Sequence, residues 1–213
     1  MLIQTQEIIA SVLANKLNIL LDDLSEKHWS VIDDFLPMEA FEQLCRAIDE
    51  DHEKGLLIPA TIGSSKVKRE DIRGDVISWI QREECNQNAL PALDLIESLQ
   101  LELRRQLFLP LDESEFHFAI YPAGSRYMKH VDRHKNQSNR ILTFILYLNE
   151  INWPEAQGGQ LRMWLSKDET QEVLPKGNRL VMFDSGEFPH EVLPAITTRK
   201  SFTGWMRREK VSI

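Results

Sequence analysis

Residues 127–134 read YMKHVDRH, which places His130 and Asp132 two positions apart at what reads as the end of a β-strand. Alternate residues of a strand share a face, so this imidazole and this carboxylate can reach one ion. A solvated salt bridge would use the same spacing. A later histidine, His190, begins another strand-like run in FPHEVLP and weighs toward the metal. Two histidines and one carboxylate hold Fe(II) on one side and leave three coordination positions open. Arg199 follows His190 by nine residues with Pro194 between them, so it is expected on the next strand, turned into the same cavity. Tyr147 lies within the apolar run ILTFILYLN. A hydroxyl buried there needs a partner, because leaving it unpaired costs about 1–3 kcal/mol. A metal, a guanidinium and a phenol in one cavity suit a small dicarboxylate. Its keto-acid end would chelate the metal, and its far carboxylate would meet the planar guanidinium in a bidentate pair.

Other candidates are weaker. His134 lies two residues past Asp132 and could compete as a ligand, but reads as a solvated loop histidine. Nothing ties His28, His52 or His117 to chemistry. Trp153, Trp164 and Trp205 read as core or rim aromatics.

The elements that must position these residues fall into two halves. Residues 4–23 carry Ile8, Ile9, Val12, Leu13, Leu17, Leu20 and Leu21 at helical spacing. HWSVIDDF reads as a strand. Pro37 opens a helix striped by Phe41, Leu44, Cys45 and Ile48 and closed near Gly55. A further helix runs from Pro91, with Leu95, Ile96, Leu99 and Leu103 on one side, to Leu109-Pro110. Between them, residues 56–80 read as a strand, a polar loop GSSKVKREDIRGD and a second strand at 75–80. From residue 113 onward the runs EFHFAIY, RILTFILYLN, GGQLRMWL, NRLVMFDS, HEVLPAI and SFTGWMRR are short and β-rich. Six such runs at close spacing predict a β-sandwich or barrel with the helices packed outside.

Composition narrows the function classes. The chain has 213 residues, 42% of them hydrophobic and 27% charged, enough for one full core. Its net charge of −8 argues against nucleic acid as the main partner. The basic clusters KVKR (66–69) and Arg207, Arg208 and Lys210 read as solvated faces. Cys45 and Cys85 form neither a disulfide framework nor a zinc motif, and Cys45 is expected to be a buried thiol. No apolar run reaches the roughly 20 residues of a membrane span, and MLIQTQEIIAS is not a secretory signal. A cytoplasmic protein in a reducing compartment is expected, with no membrane partner.

The order H-x-D…H…R, with IYPAGSRYMKHVD, ILYLN, GGQLRMW and HEVLPAITTRKSFTGW, resembles the 2-oxoglutarate- and Fe(II)-dependent dioxygenases. Within them it resembles the prolyl 4-hydroxylase branch, in particular the hypoxia-inducible-factor prolyl hydroxylases and their bacterial relatives. EDIRGDVISWI resembles the same subgroup's substrate-side hairpin, and the likeness extends over residues 28–208. The resemblance implies an α+β fold with a mainly β core, a double-stranded β-helix (jelly-roll, cupin-like) with flanking N-terminal helices. It implies a single dioxygenase domain over 1–213, with helical support and the hairpin in 1–110 and the β-helix in 113–208. It implies Fe(II) on His130, Asp132 and His190. It places 2-oxoglutarate on Arg199 and Tyr147 with Tyr121 nearby, O2 as co-substrate and ascorbate as an accessory reductant. Arg73, Asp75 and Trp79 would belong to, or support, the loop that closes on the substrate. Related halogenases replace the carboxylate ligand with a small residue, so Asp132 implies hydroxylation. The substrate implied is an exposed proline in a protein. Bacterial relatives act on a translation elongation factor and animal ones on a transcription factor, and the short chain leans toward the bacterial type. The same chemistry on a free amino acid, a lysyl residue or another small molecule remains an alternative, as does a non-catalytic ligand-binding barrel.

Overall fold

The computed structural model describes residues 15–61, 72–133 and 139–209. The expectations placed on 1–14, on KVKR and most of its loop, on His134 and on Lys210 lie outside them. Helix α1 covers 15–26 and buries Leu20, Leu21 and Leu24. Strand β1 (Trp29–Ile32) follows, then α2 (Met38–Glu53). Pro37 sits just outside α2 as its N-cap, and its carbonyl accepts the Phe41 N–H at 3.0 Å. Strands β2 (Ile58–Pro59) and β3 (Val76–Ile80) precede α3 (Leu90–Leu107). Phe108 ends α3 in the left-handed region (φ 54°), and Pro110 disfavours helical backbone at Leu109.

Eight strands follow. They are β4 (Glu113–Tyr121), β5 (Tyr127–His130), β6 (Arg140–Tyr147), β7 (Leu161–Trp164), β8 (Thr170–Val173), β9 (Leu180–Asp184), β10 (His190–Val192) and β11 (Arg199–Arg207). They form two antiparallel sheets, a seven-stranded one in the order β1-β9-β6-β11-β4-β3-β2 and a four-stranded one in the order β5-β10-β7-β8. The six runs expected from the sequence are six of these strands, and β5 and β8 complete the smaller sheet. HEVLPAI is strand only as far as Val192, where Leu193 and Pro194 begin the turn toward β11.

Strand alternation gives the large sheet two unlike faces. Phe116 and Phe118 of β4, Phe144 of β6, Met182 of β9 and Phe202 of β11 point outward and pack with Leu44, Ile48, Ile96 and Leu103 of the helices. The opposite face carries His117, Ala119 and Tyr121 of β4, Thr143 and Ile145 of β6, and Arg199, Ser201, Thr203 and Trp205 of β11. This second face looks at the small sheet across a cavity of about 350 Å³. Cys45 is half-buried at the edge of the helical layer, less enclosed than its stripe predicts, and burial still pushes its thiol up to about 12.

Gly204 lies where β11 is squeezed between β4 and β6, opposite Phe116 and Phe144. A Cβ there would meet the Glu115 carbonyl oxygen at 2.2 Å and Phe116 Cδ1 at 2.3 Å. Gly204→Ala is therefore expected to lower unfolding free energy by about 1–3 kcal/mol through forced backbone shifts. Chemical denaturation of the two proteins measures the difference.

Candidate active site

His130 is the last residue of β5 and His190 the first of β10, and the two are directly paired across the strands. Asp132 lies just past the end of β5. The strand-face argument for the H-x-D pair therefore fails in its stated form, because the bend after His130, not the pleat, brings the carboxylate in. The outcome is nonetheless a close cluster. His130 Nε2 is 3.6 Å from Asp132 Oδ1, His190 Nε2 is 3.5 Å from Asp132 Oδ2, and the three ligand atoms lie within 4.8 Å of one another.

Each histidine is oriented the same way. Nδ1 of His130 faces the Met128 carbonyl at 2.8 Å, and Nδ1 of His190 faces the Phe188 carbonyl at 3.0 Å. A carbonyl can only accept, so both rings carry their proton on Nδ1 and turn the Nε2 lone pair toward the cluster. Asp132 Oδ2 accepts from the Thr143 hydroxyl at 2.8 Å, and Thr143 Oγ1 is 3.0 Å from Ser185 Oγ. Burial alone would raise the Asp132 carboxyl. His190, His130 and the Thr143 hydroxyl outweigh it and hold the group below the usual carboxylate range. Burial holds the His190 ring below the usual imidazole range, against the pull of Asp132. An anionic carboxylate with neutral imidazoles is the protonation state that binds a divalent cation.

Arg199 opens β11 opposite Tyr121 of β4, and it is 2% exposed. Its Nε donates to the Gly159 carbonyl at 3.0 Å. It makes no ion pair among the described residues, although burying an unpaired cation is costly. The guanidinium lies 5.1 Å from the Tyr121 ring and 4.9 Å from the Tyr147 ring. Tyr147 is fully buried, and its hydroxyl has no hydrogen-bond partner among the described residues. Burial raises both phenols, with Arg199 opposing, so each stays protonated and able to donate. An unpaired guanidinium beside an orphaned phenol is the complement of a carboxylate. The backbone fits too. Gly158 and Gly159 turn at φ 69° and 77°, and a Cβ on Gly159 would stand 3.4 Å from Arg199 Cδ.

The substrate-side residues divide. Arg73 and Trp79 line the cavity, and Trp79 is half exposed at its edge. Asp75 is buried and binds Arg73 in a fork, at 2.6 Å from Nε and 2.8 Å from Nη2. Both of its oxygens are engaged by Arg73.

Sequence reading passed over three groups. Thr143 is one threonine in an apolar strand, and only its hydrogen bond to Asp132 gives it a role. Arg140 stacks on Trp205, with its Cζ 3.4 Å from the ring centre. His117 lines the cavity between Trp79 and Trp205, at ring separations of 4.9 and 5.6 Å, and its Nδ1 is unpartnered among the described residues. Alternation with Ala119 and Tyr121 was the available signal for His117. Trp205 shares this wall, so it lines the site as well as the core.

Comparison with known proteins agrees with this geometry. The sequence profile of the 2OG-Fe(II) oxygenase superfamily matches residues 116–207. A hypoxia-inducible factor prolyl hydroxylase of Caenorhabditis elegans is 33% identical over 195 residues, which is 85% of this chain and 27% of that protein. Prolyl hydroxylase EGLN3 of Mus musculus is 32% identical over 191 residues, 85% of this chain and 79% of that one. Coverage is partial for other curated relatives too, with 54% of Egl nine homolog 1 of Rattus norvegicus spanned. A solved Pseudomonas putida prolyl-4-hydroxylase is 39% identical with a TM-score of 0.82, covering 91% of this chain and all of its own. A Trichoplax adhaerens prolyl hydroxylase, solved with a hypoxia inducible factor peptide fragment, is 26% identical with a TM-score of 0.83, covering 91% and 89%. The chain belongs to the 2OG-Fe(II) oxygenase superfamily, in its prolyl hydroxylase branch. Its two facing sheets are the double-stranded β-helix of that family, and Fe(II), 2-oxoglutarate and O2 are the cofactor and co-substrates that go with it.

Two outcomes follow from this electrostatic arrangement. Asp132→Ala removes the only carboxylate of the cluster and is expected to abolish Co(II) or Fe(II) binding while circular dichroism stays native. The second concerns acid stability. Burial, with Arg73 and Arg140 adding to it, lowers the His117 ring to about 3. Below the unfolded-state value near 6.5 the unfolded chain takes up this proton and the native one does not, so His117 destabilises the fold as pH falls from that value toward 3. His117→Met is expected to flatten the decline of stability between pH 6.5 and 4 in denaturation curves.

Proposed function

We propose that this protein is an Fe(II)- and 2-oxoglutarate-dependent dioxygenase that hydroxylates a prolyl residue in a protein substrate, releasing succinate and CO2. The observation that carries the reading is that one cavity holds two chemically distinct groups. One is a His–Asp–His cluster, and the other is a buried guanidinium with an orphaned phenol.

His130, Asp132 and His190 would hold the iron, with Thr143 keeping one carboxylate oxygen in place. Bound there with 2-oxoglutarate and O2, iron supplies the oxidising power that turns an unactivated C–H into C–OH. Arg199 would fix the distal carboxylate of the co-substrate, with Tyr147 donating to it and Tyr121 walling it in. Ile145, Leu161 and Val192 give the cavity its apolar lining, which excludes water and strengthens the charged contacts inside. The half-exposed Trp79 and the cavity-lining Arg73 stand where an incoming chain would meet the site.

The prolyl target rests on the prolyl hydroxylases this chain resembles and on the sequence likeness of EDIRGDVISWI (70–80) to their hairpin. A translation elongation factor is the partner we favour, as the substrate implied by the likeness to bacterial prolyl hydroxylases, with the Pseudomonas putida enzyme 39% identical. A cytoplasmic location goes with it, where Fe(II), 2-oxoglutarate and free thiols such as Cys45 and Cys85 coexist. No helix among the described residues is long and apolar enough to cross a membrane. Incubation with candidate proteins, Fe(II) and 2-oxoglutarate, read by mass spectrometry for a gain of one oxygen on proline, tests the reading. Oxygen appearing only on small molecules would replace the protein substrate.

The co-substrate assignment has its own outcome. Losing a charge-assisted pair to a buried carboxylate costs about 2–5 kcal/mol. Arg199→Ala should therefore raise the 2-oxoglutarate concentration for half-saturation by well over tenfold. Arg199→Lys should recover part of the loss, because lysine keeps the charge and lacks the fork. A titration of succinate release against 2-oxoglutarate measures both.

A further inference from the structure

Among the three clustered ligands, His130 is the open one. Its side chain is 16% exposed, against 5% for His190 and 7% for Asp132. An imidazole at a cavity edge needs something besides its Nδ1 hydrogen bond to hold its plane. Tyr127 provides it. The two rings stack at 3.7 Å between centroids with 17° between planes. The Tyr127 ring is itself covered, with the Arg73 guanidinium carbon 4.7 Å from its centre. Arg73 is fixed in turn by its two-pronged pair with the buried Asp75. The backbone follows the same path. Arg73 forms a β-bridge with Tyr127, Met128 N–H donates to the Ile72 carbonyl at 2.9 Å, and Gly74 N–H donates to the Arg126 carbonyl at 3.1 Å. Residues 72–74 thus act as an outer strand beside β5, while β10 lies on its other side.

We infer that Tyr127, clamped by Arg73, is a positioning residue for the metal ligand His130. The inference rests on the metal reading of the His–Asp–His cluster. The phenol ring thus contacts both the imidazole, by stacking, and the guanidinium, by a cation–π approach. Removing that ring frees His130 to turn and to hydrate. The metal then has to order the ligand as it binds. The stack also ties the ligand to the hairpin bearing Trp79, since Arg73 and Asp75 lead directly into β3.

The test is Co(II) binding to the whole protein, read both as affinity and as the d–d absorption of the bound ion, so no turnover is needed. Wild type should bind and Asp132→Ala should not; if wild type fails to bind Co(II), the metal reading itself falls. With that established, Tyr127→Leu should weaken Co(II) about tenfold, the scale of losses outside the ligand set, and shift the d–d band. Tyr127→Phe, which keeps the ring, should stay within about twofold. Arg73→Gln should weaken binding about threefold, the scale of one cation–π contact. A folded Tyr127→Leu with wild-type affinity and band overturns the inference, as does Tyr127→Phe losing as much as Tyr127→Leu. If Tyr127→Leu does not fold, Arg73→Gln decides: unchanged affinity and spectrum overturn it.

Discussion

The Arg199 guanidinium is the constraint around which the inner face is arranged. A cation that deep is stable only with a partner or with dense substitutes for one. The chain supplies substitutes: the Gly159 carbonyl on Nε and two phenol rings beside the planar group. None is an anion. Arg199 therefore keeps unsatisfied attraction for a carboxylate. The nearby glycines belong to the same constraint. Gly158 and Gly159 adopt backbone that side chains resist, and a Cβ on Gly158 would collide with the Pro194 carbonyl oxygen at 2.6 Å. Their turn delivers a carbonyl to the guanidinium and leaves room for its stem.

Holding Arg199 inside dictates how the large sheet is used. One face is mainly apolar and takes the helices, which stiffen it. The other alternates polar and apolar groups and cannot pack against helices without stranding Thr143, Ser201, His117 and Arg199. A second sheet of four strands faces it instead and leaves a cavity. That small sheet carries His130 and His190 at the paired ends of β5 and β10. A metal joining them to Asp132 would tie these two strand ends to the segment that follows β5.

Much of this was legible because periodicity and chemistry coincided. Phe41, Leu44 and Ile48 read as one helical stripe and are buried together. His190 and Arg199 were separated by a proline and sit on separate strands. The triad and Arg199 stood out because charged and coordinating groups in apolar strands need a reason. What escaped depended on register between distant segments. Thr143 gains its role from a carboxylate eleven residues earlier, and His117 from tryptophans on two other strands. The H-x-D pair shows the opposite case. Its convergence was anticipated on a strand-face argument, yet β5 stops at His130. Whether a short strand continues through a Val-Asp step is set by its neighbours, which one sequence does not display. β8, TQEV, is too polar and short to be told from a loop by alternation alone.

Asp75 shows why type and position were not enough to assign a job. As an acid beside an arginine on a hairpin it suits substrate contact and internal support equally. Burial separates the two. A fully covered carboxylate with both oxygens on one guanidinium has no free lone pair directed at solvent, and breaking the pair would strand a charge at a cost of several kcal/mol (about 3–5). Arg73 is thus held from behind while its other surface meets the cavity and the Tyr127 ring. The pair turns a flexible side chain into a fixed wall. That wall lies against the Tyr127 ring that stacks on His130, so rigidity imposed at the hairpin reaches the metal cluster through packed rings and one β-bridge, with no moving part required.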